Sequence, residues 1–195
     1  MSFCRLTSAL VALAVALPLL ASSAQAAPPA QDLDGRFEAM LRQIDVVPSR
    51  YELESVWPDA RARLLAAARD DARDQFTRSR ALTMLSHYPE PAVRTALVAL
   101  AAHPDFRVRR VAIYTAARTF GVPGDATLVA LVEGAAREDV APAVRDHAIR
   151  GLRWIDHAEA GRALDRIARD GRDARAAKLA RRILDRRAAR LSPKR

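Results

Sequence analysis

The chain has 195 residues, with 32 Lys and Arg against 23 Asp and Glu, so its formal net charge is +9. Half of it is hydrophobic, enough for a packed domain and too much for a disordered chain. Seven glycines and 11 prolines exclude collagen-like and low-complexity chains, and 5% aromatic content with few β-branched runs favours packed helices over β-sandwiches.

The first segment reads as an address. Arg5 gives a short positive start, Leu6 to Leu20 is an uncharged apolar run, and Ala24-Gln25-Ala26 fits a small-x-small cleavage site. That run is short for a membrane span, and Pro18 counts against a retained helix. We therefore expect a signal peptide over 1–26, cut before Ala27, and a periplasmic or secreted product. The only cysteine, Cys4, precedes the apolar run, so no lipid-anchoring cysteine follows it. The mature chain then holds no disulfide and no thiolate metal site.

A linker over 27–31 leads to an expected N-terminal cap over 32–57, with a helix from Leu33 to Ile44 and a segment ending at Trp57. Beyond it, helical periodicity is interrupted at Pro58, Pro89, Pro104, Gly121 to Gly124, Pro142 and Gly171. No stretch alternates with period two, so no strand is predicted.

Two markers repeat along these segments. Leu64, Leu97, Leu128 and Leu164 follow at intervals of 33, 31 and 36 residues. Arg78, Arg109, Arg145 and Arg175 follow at 31, 36 and 30. Independent markers sharing a period of this length signal stacked helix pairs. The boundaries fall near 58–88, 89–121, 122–156 and 157–190, followed by a basic tail at 191–195. The interval of 36 is assigned to a longer loop around Glu138 to Pro142.

Pro104-Asp-Phe-Arg-Val-Arg-Arg-Val-Ala112 and Pro142-Ala-Val-Arg-Asp-His-Ala148 resemble the repeat motif of HEAT-repeat proteins, especially the short, phycobilisome-lyase-like kind. Pro91-Ala-Val-Arg94 is a partial match, and Lys178 departs from the motif's alanine. The resemblance implies an all-α fold: a right-handed α-solenoid of about four helix pairs over 58–190, with capping helices at both ends. It also implies that Arg78, Arg109 and Arg145 bond within the inter-repeat turns, with Asp105, Asp139 and Asp173 as available partners.

No catalytic set stands out. His87, His103, His147 and His157 are scattered, with no metal-ligand spacing, and no phosphate loop or nucleophile motif occurs. No enzyme activity, cofactor or metal is therefore expected. Exposed aromatics and arginines on the second helix of each pair suit a protein partner. The residues named for that surface are Arg110, Tyr114, Arg118, Arg150, Arg153 and Trp154.

The charge is unevenly placed. Residues 27–160 carry 18 basic and 19 acidic side chains, whereas residues 161–195 carry 13 and 4. On the last helix Arg175, Lys178, Arg182, Arg186 and Arg190 share one face, opposite Ala176, Ala180, Ile183, Leu184 and Leu191. That face is either the polar outside of a cap or a dock for an acidic partner or anionic envelope surface. A near-neutral body argues against nucleic acid, which needs positive charge along its track. The sequence thus points to an exported, non-enzymatic scaffold. A nucleic-acid binder akin to alkylpurine DNA glycosylases, or a bilin-lyase-like enzyme, is the alternative within the same resemblance.

Overall fold

A computed structural model describes residues 32–191, with side chains through 189. The expected signal peptide, the 27–31 linker, Arg190's side chain and the end of the basic tail lie outside the described residues. Among the described residues all regular structure is helical. The helices are α1 Leu33–Arg42, α2 Arg50–Val56, α3 Ala60–Arg69, α4 Gln75–Met84, α5 Pro91–Leu100, α6 Phe106–Phe120, α7 Ala126–Glu138, α8 Pro142–Leu152, α9 Ala158–Arg169 and α10 Ala174–Leu191. A 3-10 turn, Leu85–His87, extends α4. Among the described residues no helix is long and apolar enough to cross a membrane.

Short polar residues start these helices. Asp74, Asp105 and Asp125 accept backbone N–H bonds from Thr77, Arg107 and Leu128. Pro91 and Pro142 open α5 and α8, where a missing N–H costs nothing. At α2, Ser49 and Glu52 satisfy each other's backbone N–H groups.

Helices α4, α6, α8 and α10 pack side by side in that order. Each also packs on the helix before it: α3 on α4, α5 on α6, α7 on α8 and α9 on α10. The repeated leucines sit between these rows, with Leu64, Leu97, Leu128 and Leu164 all 0–1% exposed. Small residues let the helices approach closely. A methyl group at Gly151 would lie 3.1 Å from the Ala117 Cβ of α6. At Gly121 the added carbon would meet the Trp154 carbonyl, so only glycine allows the α8–α9 turn to rest there.

Two boundaries differ from expectation. The first helix ends at Arg42, not Ile44, and Ile44 is 79% exposed. An additional helix, α2, carries the chain to Trp57, which is buried against Phe37 with ring centroids 5.1 Å apart. The longer interval is not a longer loop. Only Asp139 to Ala141 separate α7 from α8, and the extra residues lengthen α7, which has 13 residues where α3 and α5 have 10. Its apolar pattern simply continues through the buried Val132 and Ala136.

Candidate functional site

The arginines of α6 and α8 divide into two sets. One set holds neighbouring turns together. Arg109 grips Asp139 with both arms, at 2.8 and 3.0 Å, and donates to the carbonyls of His103 and Pro104. Arg145 repeats the pattern one unit on, donating to Asp173 at 3.1 Å and to the carbonyls of Asp139 and Val140. Asp139 therefore links two units through its side chain and its backbone.

The first rung departs from expectation. Asp105 does not meet Arg78; its side chain caps α6. Arg78 instead lies 3.1 Å from the His103 ring and 2.8 Å from Asp71. His103 stands six residues before Arg109, as Asp139 stands six before Arg145. A histidine thus occupies the position of the carboxylate, and Asp71 from the preceding turn provides the negative charge.

Burial opposes ionisation of Asp139, but Arg109 and the Ala141 N–H outweigh it and hold its pKa below the usual carboxylate value. The Ala176 N–H and Arg145 likewise lower Asp173. Asp170 falls to about 2 beneath Arg172.

The second set faces a cleft between α4, α6 and α8. Its volume is about 320 Å³, and its lining includes Arg110, Tyr114 and Arg118 of α6, and His147 and Arg150 of α8. Four of the six residues named from sequence thus meet in one cleft. Thr83 and Ser86 close it from the α4 side. No carboxylate lines it, and among the described residues Arg110, Arg118 and Arg150 form no ion pair. The buried Arg110 Nε has no hydrogen-bond partner among them.

The other two residues sit on its rim. Trp154 is 36% exposed and its indole N–H donates to the Tyr114 hydroxyl at 3.2 Å. Arg153 stacks on the Trp154 ring, 4.4 Å from its centroid. Tyr114 meets His147 edge-on, with centroids 5.9 Å apart. His147 Nδ1 lies 3.0 Å from the Ala143 carbonyl and donates to it when it carries the proton. Burial, then the Arg110 and Arg150 charges, push the His147 pKa below its ordinary value despite that bond.

The basic face of α10 is only partly available. Arg175 is tied to Asp146 of α8 at 2.6 Å. Lys178, Arg182 and Arg186 are exposed, and Lys178 and Arg182 share a groove with Asp170 and Asp185. Other α10 arginines hold the helix down. Arg181 donates to the Ala168 carbonyl, and Arg187 to those of Leu152 and Ile155.

Sequence inspection missed Thr83, Ser86 and His147. His147 lies one turn from Arg150, a spacing that does signal a shared face. Nothing in the chain marks Thr83 and Ser86, because their place depends on how α4 packs on α6. Among the described residues no three His, Cys, Asp or Glu side chains group closely enough to hold a metal ion. No family model matches the chain, and no curated protein matches it at a significant level.

Proposed function

We propose that the protein is an exported, HEAT-like α-solenoid of four helix pairs that acts as a non-enzymatic scaffold for a protein partner. The side-by-side order of α4, α6, α8 and α10 supports the solenoid, as do the rungs from Arg109 to Asp139 and from Arg145 to Asp173. The apolar run from Leu6 to Leu20 and the Ala24-Gln25-Ala26 motif identified from sequence support export. Helix α10 serves as the C-terminal cap, its Arg175, Arg181 and Arg187 engaged with α8, α9 and the α8–α9 turn.

The observation that carries the reading is the division of the arginines. Those at the turns are consumed by the fold, whereas Arg110, Arg118 and Arg150 face a cleft edged by an exposed tryptophan. Aromatic and arginine side chains clustered this way are the usual anchors of protein interfaces.

The test is capture from envelope extract by the full-length protein, with binding quantified for each captured species. Trp154→Ala is expected to weaken binding by about 2 kcal/mol, roughly 30-fold, while leaving the helical content intact. Capture of nothing, or capture unaffected by the loss of Trp154 and Tyr114, would overturn the proposal.

A further inference from the structure

The cleft's chemistry narrows the partner. We infer that the cleft between α4, α6 and α8 seats an acidic segment of the partner protein, with its carboxylates taken by Arg110, Arg118 and Arg150. This inference rests on the scaffold reading above and specifies which part of a partner engages.

Charge complementarity is the main ground. Three guanidinium groups converge on one cleft whose lining contains no carboxylate. Elsewhere the chain neutralises arginines closely: Arg94 with Asp125, Arg166 with Glu133 and Glu159, and Arg73 with Glu38. Arg69 and Arg107 also form no ion pair among the described residues, so what distinguishes the cleft is that three such arginines share one lining without a carboxylate. Planar guanidinium forks match carboxylates with two parallel bonds.

The remaining lining suits a peptide chain. The Ser86 hydroxyl can donate and accept, and the Thr83 hydroxyl, which already donates to the Ser79 carbonyl, can still accept from a backbone N–H. On the rim, the Tyr114–Trp154 pair offers an apolar edge with its polar tips already bonded to each other. A nucleic-acid strand is the poorer fit. Arg153 already covers one face of Trp154, and His147 packs edge-on against Tyr114, so free stacking surface is reduced.

His147 supplies a readout that needs no substitution. Around it stand Arg110 and Tyr114 from α6, Arg150 and Asp146 from α8, and, across the cleft, the neutral Thr83 of α4 and Ser86 of the 3-10 turn that extends it. Asp146 is already engaged with Arg175 of α10. A carboxylate between Arg110 and Arg150 offsets their charge, so the His147 pKa rises on binding. Binding then takes up protons and tightens as the solution is made mildly acidic.

The experiment measures binding of fluorescein-labelled octaglutamate to the full-length protein by anisotropy, with octaglutamine and oligothymidylate of equal length as comparators. Octaglutamate is expected to bind, to weaken with added salt, and to raise the His147 pKa followed by NMR. Arg118→Gln is expected to weaken it about tenfold, and the triple Arg110→Gln, Arg118→Gln, Arg150→Gln variant to abolish it. Arg118 is exposed, so its single variant remains informative should the triple one unfold. Absent octaglutamate binding, or binding indifferent to Arg118 with an unmoved His147, overturns the inference. Tighter oligothymidylate binding through the same arginines overturns it in favour of nucleic acid. If Trp154-dependent capture persists while octaglutamate fails, the acidic segment is wrong and the scaffold stands. If both fail, the scaffold reading falls too.

Discussion

Leu97→Ala is expected to destabilise the protein by about 2–5 kcal/mol, seen as a lower urea midpoint with an unchanged slope. Leu97 is completely buried in α5, which packs on α3 and α6. The core cluster to which it belongs is rich in alanines, among them Ala67, Ala68, Ala112, Ala116 and Ala117. Such short side chains cannot lean into a vacated space, so the cavity persists and the loss tends to the upper end. Val98→Ala, one residue on and 41% exposed, should cost less than about 0.5 kcal/mol. Equal effects at the two positions would contradict the placing of the repeated leucines in the core.

Asp139→Ala is expected to cost about 3–5 kcal/mol, because it leaves Arg109 partly buried without its carboxylate. It also removes the acceptor for the Ala141 N–H at the start of α8. The effect carries a pH signature. Asp139 has a lower pKa in the fold than in the unfolded chain, so the unfolded state binds the proton more readily. The stabilisation is complete above the ordinary aspartate pKa and disappears as pH falls through the folded value. The gap between wild type and variant should therefore be widest near neutrality and narrow in acid. Urea unfolding across that range checks both the size and the trend.

How much was legible in the sequence depended on the range of the interaction concerned. The leucine and arginine tracks were visible because a period of about 30 residues survives substitution at other positions. Arg110, Tyr114 and Arg118 were legible as one face because four-residue spacing lines a helix. Asp105 is available to the turn arginines as Asp139 and Asp173 are, yet capping α6 is the more local use of its carboxylate. His103 in the rung was invisible, since a histidine does not announce itself as a stand-in for aspartate. The length of α7 was misjudged because an interval between markers does not say whether a helix or a loop has grown. The cleft as a cleft was beyond reach, because Thr83 and Ser86 arrive through packing.

Arg109 and Arg110 are adjacent in sequence and are assigned opposite tasks, so the direct measurement is stability and octaglutamate affinity for both glutamine variants. Arg109→Gln should lower the urea midpoint while the folded fraction keeps its affinity. Arg110→Gln should keep the midpoint and lose about tenfold in affinity. If both variants lose stability alike, or both lose affinity alike, the division between arginines that hold the fold and arginines that meet a partner is contradicted.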